Sequence, residues 1–101
     1  MLSLESLKRT FNAAIEAKLY VGIVVRICEN DGYYDEIIIN RPDSIERKLD
    51  YIMGAYDENL KHKYAPISIE LAIPGKTAME VMFRLDATMG YSTLDAYGVQ
   101  L

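Results

Sequence analysis

With 101 residues, 50% of them hydrophobic and 26% charged, the chain has the balance of one folded domain, which excludes a disordered segment and leaves no room for a second domain. Eleven Lys and Arg against fifteen Asp and Glu give a formal charge of −4, and no basic block gathers on one stretch, so direct binding to nucleic-acid phosphates is not expected. Cys28 is the single cysteine, which excludes an internal disulfide and a Cys-based zinc site and fits a reducing compartment; with no apolar leader-like run at the start and no run of membrane-spanning length, the expected location is the cytoplasm, with no membrane partner.

In chain order, residues 3–18 are predicted to form a helix. Leu4, Leu7, Phe11 and Ala14/Ile15 recur at helical spacing, and Ser3 is placed to cap the first turn. A hairpin follows. In "YVGIVVRIC", Val21, Ile23, Val25 and Ile27 share one face, the turn is Asn30-Asp31-Gly32, and "YYDEIII" returns. Two registers compete. A two-residue Asp31-Gly32 loop sets Arg26 opposite Ile37; a three-residue loop with Gly32 left-handed sets Arg26 opposite Glu36, Val25 opposite Ile37 and Ile23 opposite Ile39. The second aligns one apolar face and one cross-strand ion pair, and is preferred. Its other face, with Val24, Arg26, Cys28, Tyr34, Glu36 and Ile38, is mixed and expected to be open.

Pro42 closes the strand. A second helix then carries the stripe Ile45, Leu49, Ile52, Tyr56 and Leu60, with Asp43 and Glu46 spaced as a capping box. Gly54 falls mid-helix, where it would permit close packing, and Lys61, His62 and Lys63 suit the helix C-terminus. "PISIELAI" alternates as a third strand. The next residues bring "ELAIPGKT", Glu70 to Thr77, within one letter of the phosphate-binding pattern G-x-x-x-x-G-K-[ST]. Glu70 stands where the first glycine must wrap a phosphate, Pro74 removes an N–H beside Gly75, and no later strand ends in an acidic residue. A Pro-Gly type II turn is therefore the expected structure. Thr77 and Glu80 have capping-box spacing, Met79, Met82, Phe83, Asp86 and Met89 share a helical face, and Gly90 would end a helix well, so a last helix is favoured over a strand. Residues 91–101 read as a tail or packing arm.

The expected fold class is α+β in the order α-β-β-α-β-α, a single domain over residues 1–101. It is a three-stranded antiparallel sheet, order 2-1-3, with the helices packed on one face and the other face and both edges open.

Catalytic chemistry finds little support. His62 is the only histidine and has no second one for a metal pair. Cys28 sits beside Glu29, and a neighbouring carboxylate opposes thiolate formation. Asp35 and Glu36 point to opposite faces of a strand, so they make no dyad. No enzyme, cofactor or metal site is expected. The informative constellation pairs tyrosines with acids: Glu29, Asp31, Tyr33, Tyr34 and Glu36 at the hairpin tip, and Asp50, Tyr51, Asp57 and Glu58 on or near the second helix. Aromatics ringed by carboxylates suit docking on a basic protein surface, including a nucleic-acid-binding one.

Residues 35–69, "DEIIINRPDSIERKLDYIMGAYDENLKHKYAPISI", resemble small proteins carried by phages and prophages of Gram-positive bacteria. The shared features are an "EIIIN-x-P" strand exit, a "KL-x-Y" helix with "AYDENL-x-HK", and an Ile-rich strand. The resemblance implies a phage-type accessory protein in the cytoplasm of a bacterial host. Such a protein would act by protein–protein binding, as an inhibitor of a host defence protein in the manner of anti-CRISPR proteins. A structural or assembly component of a virion or packaging complex is the alternative. The open sheet is compatible with a homodimer.

Overall fold

The computed structural model describes residues 2–89; the expected tail at 91–101 and the Gly90 helix stop lie outside them. The elements are α1 (Leu4–Ala17), β1 (Tyr20–Glu29), β2 (Gly32–Asn40), α2 (Ile45–Ala55), β3 (Ile67–Gly75) and α3 (Ala78–Met89). The three strands form one antiparallel sheet in the order β2-β1-β3, as the sequence pattern implies.

Ser3 caps α1 in a reciprocal box with Ser6: each hydroxyl accepts from the other residue's backbone N–H, at 3.2 and 2.8 Å. The helix ends with Lys18 in the left-handed region, φ 57°, and Leu19 N–H returns to the Ala14 carbonyl at 2.9 Å. Leu7, Phe11 and Ala14 are fully buried.

The hairpin register differs from both expected ones. Glu29 pairs with Gly32 around a two-residue Asn30-Asp31 loop, so Arg26 faces Asp35, Val25 faces Glu36 and Ile23 faces Ile38. Gly32, at φ 154°, takes the conformation that other residues rarely adopt, and it does so as the first residue of the returning strand rather than inside the loop. A slip of one residue turns every β2 side chain over. Ile37 and Ile39 consequently leave the α1/α2 face and join Val24 on the other side, while Ile38 joins the first core.

That exchange overturns the expectation that the helices share one face. The α1 and α2 side chains Leu7, Phe11, Ile45, Leu49 and Ile52 cover Val21, Ile23, Val25 and Ile69. On the opposite face Val81 and Leu85 of α3 are fully buried against Val24, with Ile37, Ile39, Leu71 and Ile73 around them. The physical reason is that Val21–Val25 is apolar on both sides, and a strand buried on both faces reads as a continuous run rather than an alternation. Gly22 and Gly75 let α3 lie close: a Cβ on Gly22 would collide with Val81 Cγ1, and one on Gly75 would stand 2.9 Å from Val81 Cγ2.

The second helix is shorter than its stripe suggested. It starts after Ser44, which makes no side-chain cap, so the Asp43–Glu46 box does not form. It ends at Ala55, and Tyr56 is already extended. Gly54 lies near its end with open space where a Cβ would be, so it serves no close packing. Tyr56 and Leu60 are still buried, because residues 57–62 turn back and lie along β3. Leu60 reaches the core from the left-handed region, φ 61°, and its carbonyl accepts from Ile69 N–H at 2.9 Å. Lys63 meets the helix end through space: its backbone N–H donates to the Ala55 carbonyl and its Nζ to the Gly54 carbonyl.

Gly22→Ala is expected to lower the unfolding free energy in urea by about 1–3 kcal/mol through overpacking against Val81. Combining it with Val81→Ala should recover part of the loss, because the smaller side chain vacates the contested space.

Candidate protein-binding surface

Three exposed regions carry the tyrosines and acids singled out by the sequence. At the hairpin tip Glu29, Asp31, Tyr33 and Tyr34 are all exposed, Tyr33 by 60% and Tyr34 by 45%. They wrap an open concavity with Asn30 and Gly32. The tip splits by face: Tyr33 lies across from Cys28, and Tyr34 lies across from Ile27 on the α2 side.

Below Tyr33 the α3-side face turns polar. Arg26 holds Asp35 by two bonds, Nε to Oδ1 at 2.9 Å and Nη2 to Oδ2 at 3.2 Å, and its Nη1 stands 3.5 Å from Glu70 Oε1. The Tyr33 ring centroid lies 4.0 Å from Cζ. The bond to Asp35 pushes the guanidinium pKa further up, outweighing the opposing effect of burial. The cross-strand ion pair expected of Arg26 thus exists, but with Asp35 in place of Glu36. Glu70 itself is the extra residue of a bulge: Val24 faces Leu71 and Val25 faces Ile69. Ser68 Oγ donates to its carboxylate at 2.7 Å.

The phosphate-cradle reading fails on this geometry. Pro74 and Gly75 do not form the expected type II turn; they continue β3, paired with Val21 and Tyr20. Pro74 is tolerated because β3 is an edge strand. The backbone from Glu70 to Gly75 stays in the strand, and the turn falls at Lys76 and Thr77. Thr77 Oγ1 accepts from Glu80 N–H at 3.0 Å, and the Glu80 carboxylate accepts from Lys76 N–H at 2.8 Å, so this pair caps α3.

On the α2 side, Asp50 and Tyr51 are exposed. Glu58 is exposed as well, but its backbone carbonyl anchors Leu4 N–H. Asp57 is spent on structure: Oδ1 accepts from the N–H groups of Asn59 and Lys61 at 2.9 and 3.0 Å, which builds the loop. Tyr51 opens an aromatic run through Tyr56, His62 and Tyr64, with successive centroids 6.4, 5.0 and 6.2 Å apart in edge-on contact. His62 is therefore not a helix-end residue; it pairs with Tyr56 across a β-bridge. Its Nδ1 accepts from Tyr64 N–H at 3.0 Å, so in the neutral ring the proton sits on Nε2, 3.4 Å from Tyr51 Oη. Burial, with Tyr51 adding to it, pushes the Tyr56 phenol pKa up.

Of the expected site residues, only Glu36 and Tyr51 are brought together away from the tip. They stand at a cleft of about 200 Å³ between α2 and the sheet, floored by isoleucines of all three strands. Lys48 shares that rim, with its Nζ 5.6 Å from the Tyr51 centroid. Lys48 belongs to no basic block of the sequence, yet its spacing of three from Tyr51 marks a shared helix face. Among the described residues no group of three or more His, Cys, Asp or Glu is placed to hold a metal, and no helix is long and apolar enough to cross a membrane.

No protein-family model matches the chain, and no curated protein or solved structure matches it.

Two stability measurements check this arrangement. Arg26→Ala strands the Asp35 carboxylate, whose side chain is 9% exposed, and should cost about 1–3 kcal/mol, with Arg26→Ala/Asp35→Asn less affected than Arg26→Ala alone. Tyr56 is kept neutral by the fold, so its contribution is full below its ordinary pKa of about 10 and fades as pH rises from there through the higher folded value. Wild-type protein should therefore lose stability above pH 10 more steeply than Tyr56→Phe in parallel denaturation series.

Proposed function

We propose that this chain is a phage-type accessory protein that binds and blocks a host protein bearing a basic surface, as an inhibitor of a host defence protein would, in the cytoplasm of a bacterial host. One observation carries the reading. The hairpin tip projects Glu29, Asp31, Tyr33 and Tyr34 into solvent, and among the described residues its two acids form no ion pair. Acids without internal partners beside exposed aromatic rings suit the desolvated centre and charged rim of an interface. A partner that itself binds nucleic acid offers the complementary cations, and the excess of four negative charges steers encounter with it.

The alternative is a structural or assembly component of a virion or packaging complex. The observation in its favour is the β2 edge, which among the described residues pairs with β1 alone and could propagate a sheet between copies. Ring-sized or larger particles in size-exclusion chromatography with light scattering would favour assembly over inhibition.

Pull-down from a lysate of a Gram-positive host tests the inhibitor reading. Wild-type protein should retain a basic protein that is released at high salt, and Glu29→Lys/Asp31→Lys/Tyr34→Ala should fail to retain it. Identical capture by the two proteins, or turnover of a small molecule by the purified chain, would count against the reading.

A further inference from the structure

The two edges of the sheet are treated differently by the chain. Along β3, residues 60–62 supply partners: Ile69 N–H donates to the Leu60 carbonyl, and His62 N–H donates to the Ile67 carbonyl. Along β2 the described residues supply none; the strand pairs with β1 alone.

The hairpin fixes which groups point outward. A two-residue loop makes its closing pair, Glu29 with Gly32, the first hydrogen-bonded pair, and bonding then alternates along the ladder. The N–H and C=O groups of Tyr33, Asp35, Ile37 and Ile39 therefore face away from β1. The same alternation turns the nitrogen of Pro74 outward on β3, which is where an edge strand accepts proline. No proline or lysine guards β2, and Ile37, Ile38 and Ile39 are half-buried.

Charge is arranged along this edge in a self-complementary way. Glu36 is the middle residue of β2, with Asp35 on its tip side, and Lys48 reaches the rim of the cleft that Glu36 lines. Arg47 and Lys48 also border a concavity with Asn40 and Tyr51 at the far end of β2. None of Glu36, Arg47 and Lys48 forms an ion pair among the described residues. An antiparallel two-fold pairing brings the acidic half of one edge against the basic end of the other. An axis normal to the sheet keeps α1 and α2 of both copies on one face and α3 on the other. Centring the axis on Glu36 would set that carboxylate against its own copy. Centring it on Ile37 or Ile38 sets Glu36 opposite Ile38 or Asn40 of the second copy, and each of those residues shares a cleft with Lys48.

We propose that two copies of this chain pair antiparallel along their β2 edges, across a two-fold axis that passes through Ile37 or Ile38. The result is one continuous sheet in which Glu36 of each copy meets Arg47 and Lys48 of the other. The isoleucines supply β-branched cross-strand contacts and the outward backbone groups supply the ladder. An extended segment of another protein could use the same backbone groups, but it would need to reproduce both ends of this charge pattern, which a second copy does by symmetry.

Sedimentation equilibrium from micromolar to millimolar protein tests the pairing with wild type, Glu36→Lys, Lys48→Glu and the double variant. All substituted side chains stand on the surface or rim, and circular dichroism verifies folding. Wild type should dimerise, each single variant should raise the dimer Kd at least about tenfold, and the double variant should return it to within about threefold of wild type. Amide exchange at Ile37 and Ile39 should slow as protein concentration rises. A wild-type chain that stays monomeric throughout, a dimer indifferent to either charge reversal, or exchange at Ile37 and Ile39 that ignores concentration would overturn the proposal. It stands apart from the host-partner reading, since a monomer would leave that reading in place and a dimer would not establish it.

Discussion

Burial of β1 on both faces is the constraint from which the rest of the arrangement follows. From Val21 to Val25 every residue is buried. Val21, Ile23 and Val25 require one cover, and Val24 requires another. The first is large and takes two helices, α1 and α2, with Leu60 completing it from the loop. The second is narrow and takes one helix, α3, which approaches closely because Gly22 and Gly75 carry no Cβ. Fully burying each large aliphatic side chain contributes about 1.5–3 kcal/mol, so a central strand with such residues on both sides stabilises a small domain far more than a half-exposed one would.

Where the apolar run of β1 stops, the α3-side face changes character. At Arg26 the strand becomes polar, and Asp35, Glu70, Ser68 and the ring of Tyr33 assemble around the guanidinium. The Glu70 bulge belongs to the same change: it inserts one residue between Leu71, which still belongs to the α3 core, and Ile69, which belongs to the α1/α2 core. The ion-pair cluster therefore orders the tip half of the sheet without a helix above it. The hairpin tip can then be wet on both sides.

Element order, strand order and both helix caps around Ser3 and Thr77 could be read from the sequence because they depend on local spacing and short-range hydrogen bonds. The register could not. Asp31-Gly32 and Asn30-Asp31-Gly32 are both sound turn signals, and the choice that aligned Ile37 with Val25 gave a clean apolar face; the cost of leaving Val24 uncovered was invisible without α3 in place, and the Glu70 bulge that turns Leu71 and Ile73 to the α3 side has no signature in the strand's alternation. The stripe running on to Leu60 misled for a related reason: periodicity reports burial, and a left-handed leucine in a loop satisfies it as well as a helical one. Among the candidate residues, the tip acids and tyrosines were legible as exposed, whereas Asp57 looked like a free acid because its bonds to Asn59 and Lys61 N–H groups exist only once the loop closes.

The two outward-facing features differ in what they demand of a binding partner. The tip offers side chains, which select by charge and shape and tolerate small errors of approach. The β2 edge offers a backbone ladder, which demands a strand in register but is indifferent to most side chains. Their positions make the two uses compatible. The axis through Ile37 or Ile38 lies toward the Asn40 end of β2, and antiparallel pairing sends the two hairpin tips in opposite directions. In that register Tyr34 falls opposite Asn40 or Pro42 of the second copy, and the loop residue Asp31 lies beyond the paired strands. A pair built this way would present two identical acidic tips, and any partner able to engage both would gain affinity from effective concentration without a new contact.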